Sequence, residues 1–230
     1  ALIILVSWSI YHFYTNKGSL AGNAYNEYIV PYGSKSTVIL PDGSKIRLNS
    51  GSKIKYSGDF NKGERIVFLE GEAFFDVKPS EKKPFIVKTA VLNIRVFGTR
   101  FNVKSFKEEK NVETTLISGS VVVEKVDKNG RVIQNIQLKP NQIITYSKAE
   151  DQFMLKTSAL SVEERSAKEH NIHKIEPIIT IEPVIGKSVE EATSWVNNKL
   201  TFRGDSINTL ISKLQRWYDV EITLKNKNLN

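Results

Sequence analysis

The sequence predicts a mainly β protein: an all-β domain, built as a sandwich or a solenoid-like stack of short strands, followed by a small α/β (βαβ) unit. Three observations predict it. Between Tyr28 and Tyr146 apolar and polar residues alternate over many short runs, which is the period of half-buried strands. Turn chemistry separates those runs at close intervals, and none of them has the period of a crossover helix. The C-terminal residues then break the pattern with a strand, helix, strand signal.

Bulk composition fits this class. The 230 residues, 40% hydrophobic and 25% charged, give room for one large or two modest domains and argue against disorder over most of the length. The net charge is +8, but the lysines are spread singly along alternating segments, so the charge reads as a solvated face and not as a nucleic-acid site. The absence of cysteine excludes disulfides and cysteine-based metal or redox centres.

The first element is ALIILVSWSIYHFY, apolar and free of full charges until Lys17. It is shorter than the ~20 residues of a spanning helix, and the missing initiator Met leaves room for a longer apolar run upstream. Trp8, Tyr11, Phe13 and Tyr14 cluster as an interfacial aromatic belt does. Residues 1–16 are therefore read as the end of a transmembrane helix and 17–27 as a linker. A signal-peptide core and a buried terminal helix are the alternatives, although no A-x-A cleavage site follows.

The all-β domain is placed at 28–156. TVILPDGSKIRLNS carries Pro41, Asp42 and Gly43 between two runs and predicts a hairpin. IVFLEGEAFFDV, FIVKT, LNIRVFGTRFNVKSF, VETTLISGSVVVEKV, RVIQNIQL and QIITYS follow as strands, with an Asn-Gly turn at Asn129 and Gly130. Residues 157–194 read as a linker with helical pieces. Ser161 with Glu164 and Ser188 with Glu191 have capping-box spacing, and IEPIITIEPVIG carries two prolines that suit an extended connection.

The last unit occupies 195–230. Leu200 and Phe202 belong to a strand, Asp205 or Ser206 caps a helix, and Ile207, Leu210, Ile211 and Leu214 form one apolar stripe. Val220, Ile222 and Leu224 alternate as a second strand. Such a βαβ unit buries too little to stand alone, so it either packs on the β domain or lacks its other half.

No catalytic set emerges. In LEGEAFFDV the carboxylates Glu70, Glu72 and Asp76 share the wet face of a strand, opposite Arg47, Arg65 or Arg95. Glu70 and Glu72 are ~6.6 Å apart along the strand but project in parallel, whereas glycoside hydrolysis needs carboxyl groups flanking a bond. His170 and His173, near Glu169 and Glu176, have only His12 as a further histidine, too few ligands for zinc, and read as exposed helix residues. Gly98 and Gly119 open no predicted helix and read as bulges or close backbone approaches. We expect no enzyme, no metal and no cofactor.

Three segments carry a resemblance: VILPDGSKIRLNSGSKIKY, RIVFLEGEAFFDVKPSEKKPFIVKT and IRVFGTRFNV. They look like the periplasmic domain of FecR-type transmembrane anti-sigma regulators, which share an LPDGS turn, a GEAFF strand, a PF-V segment and a GT-FNV run in this order. NKLTFRGDSINTLISKLQRWYDVEI resembles the C-terminal module of the Bacteroidetes branch, itself similar to the short N-terminal domain of secretins and TonB-dependent transporters. The resemblance implies a single inner-membrane span, with residues after about 16 in the periplasm. It also implies two partners: the N-terminal signalling domain of a TonB-dependent outer-membrane transporter, and an extracytoplasmic-function sigma factor held by a cytoplasmic segment that this sequence does not contain. Regulated proteolysis commonly frees that segment in the family.

The residues of the last unit stay open between two roles. Leu210, Leu214, Trp217 and Tyr218 read either as core of the module or, with the strand edge at Val220 and Ile222, as a partner-binding surface reached by strand addition. The alternative from another class is a secreted or membrane-anchored glycan-binding β-sandwich, for which Phe74 is the one aromatic on the Glu70/Glu72 face.

Overall fold

Strand-forming runs from Tyr25 to Thr157 pair into one thirteen-stranded sheet in the structure, a computed structural model that describes residues 8, 24–157, 188–202 and 205–225. The strands are β1 (Tyr25–Ile29), β2 (Ser36–Ile39), β3 (Lys45–Leu48), β4 (Lys53–Ser57), β5 (Arg65–Asp76), β6 (Phe85–Lys88) and β7 (Leu92–Val96). They continue with β8 (Arg100–Ser105), β9 (Asn111–Ser118), β10 (Val121–Val126), β11 (Val132–Leu138), β12 (Gln142–Ser147) and β13 (Gln152–Thr157). The PDGS hairpin is present as β2 and β3, and the Asn-Gly turn joins β10 to β11.

The sheet curls because β5 belongs to two halves. Its N-terminal part pairs with β4 and β6, and its C-terminal part with β3 and β8. One half runs β11-β10-β7-β6-β5-β4-β1 and the other β2-β3-β5-β8-β9-β12-β13. We call them the β6 half and the β8 half. The bend sits at Gly71, whose φ is +112° and where an added Cβ would lie 2.6 Å from the Cα of Ser52. Only glycine tolerates both conditions. The Ser52 hydroxyl pins the bend by accepting from the Glu72 N–H at 2.8 Å and donating to the Glu72 carbonyl at 2.9 Å.

This bend also explains a parallel pair without a crossover helix. Strand β6 pairs in parallel with Arg65–Phe68, and the chain returns there after β5 has left for the other half. The two halves face each other across one core. The Phe75 ring stacks on Phe101 at 4.9 Å and meets Phe85 of the opposite half edge-on at 6.1 Å. Ile46, Leu48, Ile54, Val67, Leu116 and Leu138 complete it at no more than 1% exposure, each worth about 1.5–3 kcal/mol of burial.

Two runs read as single strands are each split. LNIRVFGTRFNVKSF becomes β7 and β8, and VETTLISGSVVVEKV becomes β9 and β10. At both breaks the chain crosses between halves, and the crossings lie side by side: a Cβ on Gly119 would be 2.9 Å from the Gly98 carbonyl oxygen. The buried phase slips at each break, from Leu92, Ile94 and Val96 to Phe101 and Val103 and from Val112, Thr114 and Leu116 to Val121 and Val123, a sign of the change of half that is lost when each run is joined as one strand.

The C-terminal part contains α1 (Val189–Ala192), a 3-10 turn (Ser194–Asn197) and α2 (Ile207–Tyr218). Ser188 and Glu191 form the reciprocal capping box read from their spacing, and Ser206 caps α2 by accepting from the Thr209 N–H. The two strands expected around α2 are absent: 199–202 and 220–224 form no strand. The segments flanking the helix pair with no strand among the described residues, and the unit rests on the β domain instead. Among the described residues no helix is long and apolar enough to cross a membrane. The apolar start apart from Trp8, the Ser161/Glu164 signal, His170 and His173 lie outside the described residues.

Candidate functional site

The place where the C-terminal part meets the β domain is organised around Glu72. This residue points outward from the β8 half, yet it is only 7% exposed. Asn49 Nδ2 donates to one carboxylate oxygen at 2.8 Å and Asn102 Nδ2 to the other at 3.0 Å. The Asn102 carbonyl in turn accepts from the Trp195 indole at 3.2 Å. Four separate stretches of chain are tied by three side-chain hydrogen bonds, as buried polar groups require.

The expectation that Glu72 is a wet strand residue facing an arginine is therefore corrected. The bend at Gly71 puts Glu70 on the outer face of the β6 half and Glu72 on that of the β8 half, where the C-terminal part covers it. Glu70 and Asp76 are exposed as read. Arg65 is buried with Asp42, 2.9 Å away, and Arg95 pairs with Glu124 at 2.9 Å and Glu64 at 3.4 Å.

Helix α2 is held by charge. Arg216, 7% exposed at its side chain, donates to Glu108 at 2.9 Å and Glu109 at 2.6 Å, and its guanidinium lies 3.8 Å from the centre of the Phe106 ring. Its carbonyl accepts from the Gly33 N–H at 2.8 Å. Beside it the Lys35 ammonium sits 3.5 Å from the centre of a Trp217 ring and donates to Asn198 at 2.8 Å. Burial lowers the pKa of Lys35, and the Glu72 charge works against that shift. A cavity of about 60 Å³ lies between Asn49, Glu72, Lys104, Trp195, Arg216 and Trp217, space for a few waters and not for a substrate.

Of the predicted partner-binding residues, Leu210, Leu214 and Tyr218 fall on the other side of the same helix, and Val220 and Ile222 follow its end. At 3.6 residues per turn the stripe of Ile207, Leu210, Ile211 and Leu214 lies roughly opposite Arg216. Leu210, Leu214, Trp217 and Ile222 are half-buried, while Tyr218 is 61% and Val220 47% exposed. None of them belongs to the core of the β domain. Trp217 alone is drawn into the clasp, through Lys35.

Sequence reasoning missed Asn49, Asn102, Lys35 and Arg216, since isolated polar residues carry no sign of hydrogen-bond partners up to 163 positions away. Asn102, between the core residues Phe101 and Val103, shows only that it faces outward. Phe74 offers no platform for a glycan: it is 7% exposed, with the Arg100 guanidinium 5.9 Å from its ring centre. Among the described residues no group of three or more His, Asp or Glu is placed to hold a metal.

In sequence and in fold the chain is similar to known proteins. The family model for FecR protein matches residues 26–122, and the model for FecR, C-terminal, matches 199–230. Two solved structures of a candidate anti-sigma factor from Parabacteroides distasonis are similar to this chain. One, at 2.50 Å resolution, has 27% identity and a TM-score of 0.68, covering 86% of this chain and 76% of that one. The other, at 1.65 Å, has 28% identity and a TM-score of 0.67, covering 85% and 76%. No curated protein matches significantly.

Proposed function

We propose, from the premise that this chain belongs to the FecR family, that it is a non-enzymatic anti-sigma regulator that receives its signal through the C-terminal part. The observation that carries this reading is the orientation of α2, whose polar side is fastened to the β domain and whose apolar stripe is turned away from it. A partner seated on that stripe would act on the clasp behind it. In this reading residues 1–16 end an inner-membrane span and the rest lies in the periplasm. The partner is the signalling domain of a TonB-dependent outer-membrane transporter, and the regulated protein is an extracytoplasmic-function sigma factor on the cytoplasmic side.

The full chain in detergent, titrated calorimetrically with the transporter's signalling domain, tests the proposal. Binding is expected, with an affinity at least about tenfold weaker for Leu214→Glu, because a charge in a desolvated apolar contact is costly. No heat with the unaltered chain sinks the partner assignment.

A further inference from the structure

The outer face of the β6 half carries a cluster that signal reception does not use. Register places Lys55 opposite Phe68, and Phe68 opposite Lys88, on one face of β4, β5 and β6. Tyr25 and Ile29 of β1 join them. Tyr25 is 45% exposed, Ile29 67% and Phe68 40%. The Tyr25 and Phe68 rings meet edge-on at 6.2 Å, the Lys55 ammonium lies 4.2 Å from the Tyr25 ring centre, and that of Lys88 lies 6.0 Å from the Phe68 ring centre.

Beside Phe68 runs a groove of about 620 Å³ with five lysines, Lys53, Lys55, Lys88, Lys107 and Lys148, against two glutamates. One of those glutamates, Glu27, is already paired with Lys53 at 3.0 Å. The groove therefore keeps a positive excess next to exposed rings on a sheet surface.

Aromatic rings flanked by lysine amines suit the boundary between lipid headgroups and water, where rings sit at headgroup depth and amines meet phosphates. The sequence supplies a reason for that boundary to be near. Only the 10 residues from Thr15 to Ala24 separate the apolar N-terminal stretch from β1, and extended chain of that length reaches at most about 36 Å. We infer that the face around Phe68 rests on an anionic bilayer surface, which holds the β domain against the membrane. The inference takes from the proposal above its membrane span, and it does not depend on the transporter or the sigma factor.

The chain contains no cysteine, so a single introduced thiol is labelled cleanly. Full chain carrying Phe68→Cys with an environment-sensitive dye, reconstituted in phosphatidylglycerol nanodiscs, is expected to emit blue-shifted light. A headgroup-attached spin label should quench it severalfold more than a dye at Ile39→Cys, an exposed position on the β8 half. Lys55→Glu with Lys88→Glu, or phosphatidylcholine discs, should abolish the difference. Equal quenching at the two positions in chain that co-purifies with anionic discs overturns the inference, as does a blue shift that follows protein concentration and not lipid. Chain that does not co-purify with discs shows instead that the span is wrong. The same dye then decides the surface with anionic vesicles added in trans: a shift supports it and no shift overturns it.

Discussion

Asp42 shows how one turn residue can hold two distant parts of the chain. Its carboxylate accepts from the Ser44 N–H at 2.9 Å and the Ser44 hydroxyl at 2.7 Å, and it pairs with Arg65, which also donates to the carbonyls of Lys78 and Lys83. Asp42→Ala leaves a buried guanidinium without its counter-charge and is expected to cost ~3–5 kcal/mol in urea denaturation. The turn was legible in PDGS, but the tie to Arg65 was not, because it joins residues 23 positions apart. Glu72 is the same case on the other face. Glu72→Ala strips the Asn49 and Asn102 amides of their acceptor, at ~1–3 kcal/mol, and loosens the hold on Trp195. A lower denaturation midpoint with red-shifted tryptophan emission is expected; an unchanged spectrum would mean the network does not position Trp195.

At the scale of elements, α2 separates what a sequence states from what it withholds. The apolar stripe and the Ser206 cap were readable from spacing alone, whereas the docking side was not, because it is chosen by Glu108 and Glu109 in a distant turn. Arg216→Ala is therefore expected to free the helix while sparing the β domain: hydrogen exchange over 207–218 should rise at least about tenfold, since ~3 kcal/mol of buried pairing is lost. Exchange in β5 and β8 should stay as it was. Among the strands, β1, β4 and β13 escaped the reading. YNEYI is exposed at every position and so lacks the alternation that marks a half-buried strand.

For the whole molecule, two buried tyrosines give a pH signature. Tyr56 and Tyr146 are pushed up to about 12, in both cases first by burial, then by hydrogen bonds with Tyr28 and Asp151 respectively. The folded state thus holds protons that the unfolded chain releases near 10.0. Their contribution is complete below that pH and is lost as pH rises through about 12. Melting temperature should fall across this alkaline window, and Tyr56→Phe should make the fall shallower. The mainly β class was legible throughout, because alternation reports burial on one face; the curl was not, since it depends on which strands β5 joins.

The pairing of β1 has a mechanical side. Among the described residues the strand pairs with β4 alone, through five residue pairs from Tyr25 with Ser57 to Ile29 with Lys53, whereas β5 has four neighbours. Tension entering from the N-terminal side loads the Tyr25 pair first and can open the five one after another, as a zipper opens. Strand β5 shares any load among several ladders at once. In an optical trap, stretching from the N-terminus should give a small early step from the release of β1, well before the core yields. The protein would then yield first, under such tension, at the end that enters the fold first.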